Sequence, residues 1–476
     1  MKKNISILIV FLIIIVGCEK LLNEEAYSDL GPSNFYTTAE DAEALLYAAY
    51  AKCQGWRDYV AYWLCTNEAT TEIFFERKGA INGYFKPAEE FTWDASHGYL
   101  QYQWTSWYSG IFYANIVIDH VPSIEMDKDR REQIVMEARF LRALNYFLLN
   151  DLFGPPPLIL TSNTTPQDCP SRSTNDEIIK FLEDEFLACS QVLPLTQADF
   201  PRATKGAALG FLTKFYLNNR KWSLAAETAE TIIESGVYEL FVGDTSRAQL
   251  FDLENEGCSE FIFVVPYSSK KPANTYLACA VPDNYKFKYV SKTNFAADFR
   301  IPDSFLNTFD PNDQRLDAFV FKYVNTSGDV VSCGPNNVRS FKYPEDPVAV
   351  GDVSSNDFPL LRYADILLSR AEALNELNGP TQESIDLINQ VRNVAGVDDL
   401  QLNDFTNTED LREAILRERG WEFHTEGLRR QDLIRQGKFI SMAISRGFAA
   451  KDYHVLFPIP QAEITANKNL VQNKGY

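Results

Sequence analysis

The chain has 476 residues, of which 45% are hydrophobic and 13% aromatic, with 45 basic and 65 acidic side chains. This apolar fraction excludes an intrinsically disordered chain and allows a large hydrophobic core. The net charge of -20 argues against nucleic-acid binding, which requires clustered Lys and Arg to displace counterions.

The N-terminal residues predict a secreted lipoprotein. Two lysines precede an apolar run from Ile5 to Val16, typical of a secretory signal and shorter than the about 20 residues of a transmembrane helix. Gly17-Cys18 resembles a bacterial lipobox. We therefore expect residues 1–17 to be a lipoprotein signal peptide and Cys18 to carry acyl chains such as palmitate, with an uncleaved anchor helix as the alternative.

Ten stretches have helical spacing of apolar residues, and breakers or capping residues lie at several of their ends. In chain order they are 41–51, 104–121, 130–152, 175–193, 203–217, 222–235, 360–377, 381–394, 407–426 and 429–444. The pairs 203–217 with 222–235 and 360–377 with 381–394 interleave small and large residues. This pattern resembles the tetratricopeptide repeat, with a general helical array as the alternative.

Two long segments, 55–103 and 239–358, lack a sustained helical period and are rich in Gly, Pro, Asn, Asp and aromatic residues. Within the second, Phe261 to Val265 predicts a strand. Long irregular segments in an ordered protein are usually functional. We predict a mainly α fold: a scaffold of tetratricopeptide-like helical pairs with large loop-rich insertions and a few short strands.

Signatures of catalysis and metal binding are missing from the sequence. It contains no HExxH, Walker or GxSxG motif and no CxxC pair, and its four histidines are scattered. We therefore predict neither a cofactor nor a metal site. With 65 acidic residues, a pair of glycosidase carboxylates stays open at this point.

Several sequence blocks occur in a recognisable order. They are Asn34-Phe35-Tyr36, Glu137 to Ala143, Phe153-Gly154, Arg202 to Ala208, Leu361 to Leu368, Glu418 to Phe423, and Phe457-Pro458-Ile459-Pro460. Together with the lipobox, these blocks resemble the SusD/RagB family of outer-membrane nutrient-binding lipoproteins over essentially the whole mature chain. One departure is Asn473-Lys474-Gly475, where the family more often has a proline before the glycine.

The resemblance implies a fold and a function. It implies an N-terminal half, 18–235, and a C-terminal half, 236–476, with a loop-rich part at 239–358 and a helical part at 359–476, forming one continuous unit. The protein would be lipid-anchored in the outer membrane, face the cell exterior, and bind a glycan without altering it. It would deliver this glycan to a SusC-like TonB-dependent β-barrel transporter.

The charged residues in the matched blocks are expected to be structural. Arg362 and Asp365 lie three residues apart in a predicted helix. In another, a similar network is expected of Arg417, Arg419, Glu422 and Glu426. Because these helices must pack on their neighbours, we predict ion pairs within the scaffold rather than catalysis.

Glycan contacts are expected in the irregular segments. A pyranose ring has an apolar C–H face that stacks on a flat aromatic ring, and hydroxyls that bind carboxylates, amides and guanidinium groups. We predict Trp104, Trp107 and Tyr108 to be core residues, since they lie on a helical stripe. The predicted ligand-binding residues are Tyr84, Trp93, Asp94 and Tyr99 in the first segment and Tyr285, Tyr289, Asn336 and Arg339 in the second.

Three alternatives stay open at this point. A RagB-like protein that carries peptides would keep the fold and change the cargo, and acid-rich loops would suit cationic peptides. A surface glycoside hydrolase would release sugars through an acidic pair. A purely structural helical adaptor would have only a protein partner.

Overall fold

A computed structural model of the protein describes residues 36–53, 58–79, 81–165, 168–270, 273–289, 292–295 and 297–476. The predicted signal peptide and Cys18 lie outside the described residues. Among the described residues, every helix falls short of the length or the hydrophobicity that a membrane span requires.

Helices dominate the N-terminal half. They are α1 (Ala39–Cys53), α2 (Trp63–Asn67), α3 (Asn82–Glu90), α4 (Gly98–His120), α5 (Lys128–Phe153), α6 (Asn175–Val192), α7 (Lys205–Asn218) and α8 (Trp222–Glu234). A π-helical turn, Asp58–Tyr62, runs directly into α2.

The C-terminal half mixes short helices with longer ones. They are α9 (Tyr276–Ala280), α10 (Asp303–Leu306), α11 (Tyr363–Asn378), α12 (Gln382–Val394), α13 (Thr408–Glu422), α14 (Arg429–Arg435), α15 (Phe439–Ser445) and α16 (Gln461–Ala466).

Short strands pair within and between the two halves. They are β1 (Phe75–Gly79), β2 (Phe261–Val265), β3 (Ala297–Arg300), β4 (Phe319–Val320), β5 (Lys322–Val324), β6 (Val330–Ser332), β7 (Arg339–Ser340) and β8 (Phe358–Arg362). They form antiparallel two-stranded sheets in the pairs β1–β3, β2–β8, β4–β7 and β5–β6. The predicted class, mainly α with a few short strands, is confirmed.

Local sequence explains where the long helices begin and end. The Thr174 side chain accepts a hydrogen bond from Glu177 N, and Glu177 returns one to Thr174 N, which closes a capping box at the start of α6. Helix α5 ends at Gly154, whose φ of 71° is readily adopted only by glycine. These ends agree with the predicted helices to within a few residues.

Small residues let the helical pairs pack closely. A Cβ atom on Gly210 of α7 would lie 2.3 Å from Leu361 Cδ2, so only glycine permits this approach to β8. A buried ion pair from Lys214 Nζ to Asp365 Oδ2, at 2.7 Å, joins α7 to α11. In the core beneath, the rings of Phe140, Phe211 and Phe263 meet with centroids 5.1–6.0 Å apart.

The structure corrects three predicted boundaries. The segment 55–103 contains α2, α3 and the first residues of α4, although none of its helical stretches is long enough to show a period. The predicted helix 360–377 begins as strand β8, which pairs with β2. The predicted helix 429–444 is divided into α14 and α15 near Gly437, whose φ is +69°.

The charges of the matched blocks form a buried cluster. We use the name buried charge cluster for Arg247, Glu260, Arg315, Lys342, Arg362, Glu418, Glu422 and Glu426. Every one of these side chains is 3% exposed or less.

Arg362 is the centre of this cluster. It reaches Glu260 at 2.5 Å, Glu422 at 3.0 Å and Glu426 at 2.7 Å. Burial opposes the charge of Glu422, but the surrounding Arg247, Arg362, Arg315 and Lys342 hold its pKa well below its usual range. Arg362 and Asp365 do not pair with each other as the sequence allowed, because Asp365 pairs with Lys214 and Arg419 instead. The expected structural role of these charges agrees with this closed arrangement.

Candidate functional site

Four tyrosines form an aromatic surface where α3 and α4 meet the π-helical turn. We use the name tyrosine face for Tyr62, Tyr84, Tyr99 and Tyr102. Tyr84 stacks on Tyr99 with ring centroids 4.2 Å apart and planes 15° apart. Tyr62 lies 4.1 Å from Tyr99 and meets the edge of Tyr102 at 4.6 Å. Tyr62 and Tyr99 are buried, whereas Tyr84 and Tyr102 are 39% and 38% exposed.

The scaffold fixes the position of Tyr84. Its neighbour Phe85 is buried and packs 5.1 Å from Phe299 of β3 and 6.1 Å from Phe74, which anchors α3 on the β1–β3 sheet. His97 lies edge-on to the Tyr84 ring, and its Nε2 is 2.9 Å from the Tyr84 carbonyl oxygen. Tyr99 therefore stacks on Tyr84, and Tyr84 remains 39% exposed.

The predicted acceptor Asp94 lies on the loop that leads into α4. Its Oδ1 accepts hydrogen bonds from Ser96 N at 2.7 Å and Ser96 Oγ at 2.5 Å. These two bonds lower the pKa of Asp94, so the exposed carboxylate is ionised at neutral pH. Asp94 also acts electrostatically on His97, the residue that packs against Tyr84. His97 thus lies between the two predicted residues, in contact with Tyr84 and within the electrostatic influence of Asp94.

The expectation for Trp93 has to be corrected. Its ring is 5% exposed and packs on His454 at 4.9 Å and Phe457 at 4.8 Å. The indole N–H donates to Tyr476 Oη at 2.8 Å, so the C-terminal residue of the chain covers it. A ring packed in this way has no free face for a sugar. In the same segment Tyr84 and Tyr102 are exposed, and Tyr102 is a residue that the prediction did not include.

Tyr99 is also a supporting residue rather than a platform. It is 4% exposed because Tyr62 and Tyr84 cover it. The sequence held a usable signal for Tyr102, since Tyr99 and Tyr102 are three residues apart at the start of a helix and therefore neighbours on its surface.

The predicted tyrosines of the second segment form their own cluster. Tyr285 is half-buried, donates its hydroxyl to Glu345 Oε1 at 2.8 Å, and packs on Phe341 at 5.3 Å. Burial and the bond to Glu345 raise the pKa of Tyr285. Tyr289 is half-buried, with Lys288 Nζ 5.2 Å from its ring centroid. Both rings are held by contacts within this segment.

Asn336 and Arg339 have different positions. Arg339 is 3% exposed and donates to Asp298 Oδ1 at 2.6 Å and to the Asn337 carbonyl at 2.6 Å, so the structure corrects its predicted ligand role to a structural one. Asn336 is exposed, with a φ of 49°, and lines a cleft of about 460 Å³ beside Phe75 of β1. The two predicted loop segments therefore meet at this cleft.

Trp104 and Trp107 are buried, and Tyr108 is half-buried with its hydroxyl donating to the Pro157 carbonyl at 2.8 Å. Their predicted core positions agree with these contacts. In the described part of the chain, no group of three or more His, Cys, Asp or Glu side chains is arranged to hold a metal ion.

Family models match two parts of the chain. Residues 334–476 match a model described as SusD family, and residues 22–217 match one described as "Starch-binding associating with outer membrane".

Individual proteins resemble the chain over most of its length. SusD-like protein P2 of Formosa agariphila is 24% identical over 511 residues, covering 100% of both chains. Starch-binding protein SusD of Bacteroides thetaiotaomicron is 25% identical over 421 residues, covering 71% of this chain and 72% of that one. The solved structure of a laminarin-binding SusD-like protein superposes with a TM-score of 0.78 at 21% identity, covering 93% and 100% of the two chains. The chain belongs to the SusD/RagB family.

Proposed function

We propose that the protein binds an oligosaccharide at the tyrosine face without altering it chemically. The observation that carries this proposal is the exposure of Tyr84 and Tyr102 on a rigid, stacked aromatic base. The names of the relatives support the same cargo class, since one binds starch and a neighbour in fold binds laminarin. The ionised Asp94 on the adjacent loop supplies an acceptor for sugar hydroxyls.

The exposed ring area accounts for useful but weak binding. Tyr84 is 39% exposed, which corresponds to roughly 80 Å² if a tyrosine presents about 200 Å². Covering this area at about 25 cal/mol per Å² contributes about 2 kcal/mol. Tyr102 contributes a similar amount, and a few hydrogen bonds bring the dissociation constant into the millimolar to micromolar range, about 4–8 kcal/mol in all. Weak binding suits a protein that releases its cargo.

The anchor and the partner complete the proposal. Acyl chains on Cys18 would hold the protein at the outer membrane, facing the cell exterior, and a SusC-like TonB-dependent barrel would receive the glycan. The description of the matching model, which names association with the outer membrane, supports this location. Metabolic labelling with a palmitate analogue should mark the wild-type protein, and a Cys18→Ala variant should lose both the label and the membrane fraction.

Affinity gel electrophoresis and titration calorimetry test the binding function. The purified protein should be retarded by at least one neutral glucan from a panel that includes starch and laminarin. It should release no new reducing ends on prolonged incubation. Absence of binding to every glycan in a broad panel would refute the proposal. Release of products that stops on replacement of a single Asp or Glu would show a hydrolase instead.

A further inference from the structure

A polar cleft lies at the opposite end of α3 from Tyr84. We use the name arginine cleft for the cleft of about 460 Å³ whose charged residues are Glu72, Arg77, Glu89, Arg300 and Arg446, with Phe448 on one wall. Glu89 is in the last turn of α3, whereas Tyr84 is in the first. The cleft is therefore a separate site from the tyrosine face.

Arg446 is the cation of the cleft without a direct contact to any described carboxylate, although Glu89 and Glu72 are near enough to act on its charge. Among the described residues, no carboxylate forms an ion pair with it. Its Nη1 makes one long contact of 3.4 Å to the Thr70 carbonyl oxygen. Its guanidinium lies over the Phe448 ring, 4.8 Å from the centroid. A contact of this kind restricts the planar group, and Arg446 lines the cleft.

Arg300 shares its counter-ion with another arginine. Its Nη2 is 2.5 Å from Asp298 Oδ2, while Asp298 Oδ1 is 2.6 Å from Arg339 Nη2. One carboxylate thus serves two guanidinium groups. Arg300 Nε is buried and has no hydrogen-bond partner within the described residues. This part of the cleft carries an excess of positive charge and a donor without an acceptor.

The two acids of the cleft are matched by other cations. Arg77 Nη1 lies 3.1 and 3.0 Å from the two oxygens of Glu89. Arg429 donates to Glu72 Oε1 from Nε at 2.8 Å and from Nη2 at 2.5 Å. Glu72 Oε2 is buried and has no partner among the described residues. After these pairings, Arg446 has no direct ion pair within the described part of the chain and Arg300 shares its carboxylate, so the cleft keeps more basic than acidic groups in a chain whose net charge is -20.

We infer that the arginine cleft binds an anionic sugar residue, a pyranose that carries a carboxylate or a sulfate ester. Arg446 and Arg300 bind the oxyanion through paired N–H donors, a geometry that guanidinium groups provide and ammonium groups do not. Phe448, which is half-buried, offers an apolar contact to the C–H groups of the ring, and Asn336 lies at the cleft for its hydroxyls. This inference deepens the proposed function, because it assumes that the cargo is a glycan.

Binding to three acidic polysaccharides tests the inference: polygalacturonate and alginate for the carboxylate, carrageenan for the sulfate ester. At least one should bind, and binding should weaken steeply as salt is raised because the contact is ionic. Arg446→Gln should weaken that binding at least about tenfold, since a charge-assisted hydrogen bond is lost. Arg446→Lys should recover only part of it. Arg417→Gln, at an exposed arginine of α13 outside the cleft, should bind like the wild type.

Two outcomes would overturn the inference: no binding to any of the three polysaccharides, or an Arg446→Gln variant that is folded by circular dichroism and binds as the wild type does. The tyrosine face is judged separately. Binding of neutral glucans alone would refute the cleft and leave the proposed site standing. Acidic-glycan binding that depends on Arg446 but not on Tyr84 would support the cleft, whereas absence of neutral-glucan binding would refute the tyrosine face.

Discussion

The buried charge cluster and the arginine cleft are built from the same residue types and differ in how their charges are matched. In the cluster, Arg362 meets three glutamates and all the members are closed to solvent. In the cleft, Arg446 contacts the Phe448 ring and makes one long hydrogen bond to the Thr70 carbonyl oxygen. It lines the open cleft of about 460 Å³. The comparison teaches that direct pairing with carboxylates and closure to solvent, rather than arginine or glutamate as such, distinguish the cluster from the cleft.

The aromatic residues repeat the same contrast. Trp93 and Tyr84 both lie in the segment 55–103. From the sequence alone, the larger ring of Trp93, next to Asp94, is the stronger candidate for stacking on a sugar. The structure covers Trp93 with Phe457 and Tyr476, while Tyr84 keeps two fifths of its surface exposed. Size and flatness therefore qualify a ring as a platform only when no other element of the fold occupies its face.

The largest expected effect comes from breaking the cluster. Arg362→Met leaves Glu260, Glu422 and Glu426 short of a cation in the interior and should lower the free energy of unfolding by about 3–5 kcal/mol, measured by urea denaturation. Arg446→Gln in the cleft is the matched comparison and should cost less than about 1 kcal/mol. Equal losses in the two variants would show that the two regions do not differ as described.

Truncation of Trp93 sharpens the contrast between the two rings. Trp93→Ala removes a packed indole and should cost about 3–5 kcal/mol of unfolding free energy. It also leaves Tyr476 Oη without its donor. Trp93→Phe keeps most of the packing and should stay folded, with unchanged affinity for a bound neutral glucan. If the Trp93→Phe protein is folded but has lost its affinity for the glucan, Trp93 contacts the ligand and its assignment as a packed ring outside the site is wrong.

The surroundings of Trp93 also predict a smaller, pH-dependent effect. His454 packs on Trp93 and accepts a hydrogen bond from Lys451 N at its Nδ1, so it is neutral in the folded protein. Burial, with a further contribution from Lys451, lowers the pKa of His454 from 6.5 to about 4. The unfolded chain takes up a proton first as pH falls. The stability from neutral His454 is therefore complete above about pH 6.5 and is lost as pH falls toward 4.

Between pH 7 and pH 5, the wild type should lose about 1–2 kcal/mol of unfolding free energy more than a His454→Gln variant does. Urea denaturation at the two pH values measures this difference. Identical losses in both proteins would mean that His454 takes up its proton without cost in the folded state.

Sequence patterns predicted most of the scaffold because the residues that determine where each helix begins and ends are close together in the chain. The helical period, the Thr174 and Glu177 cap and the glycine at 154 act over a few residues, and the corresponding helices formed close to the expected positions. The division near Gly437 shows the limit of this approach. A single glycine in an amphipathic stretch is compatible with a continuous helix, and the tertiary contacts of α14 and α15 decide the outcome.

The site was predicted less well because its determinants are long-range. Whether Trp93 is exposed depends on Tyr476, which lies 383 residues away in the chain. Whether Arg339 is available depends on Asp298, 41 residues away. The sequence indicated a segment in which Tyr84 and Asp94 are exposed, but it could not show which neighbouring rings the rest of the fold would cover.

Titration calorimetry of the tyrosine face with a neutral glucan that binds the wild type is the most direct test of the central claim. Tyr84→Ala should lose about 2 kcal/mol, close to thirtyfold in affinity, and Tyr102→Ala a similar amount. Phe112→Ala provides the matched control, since Phe112 is 43% exposed on the same helix as Tyr102. The account predicts loss of affinity in the two tyrosine variants and none in the control. Wild-type affinity in both folded tyrosine variants would contradict it.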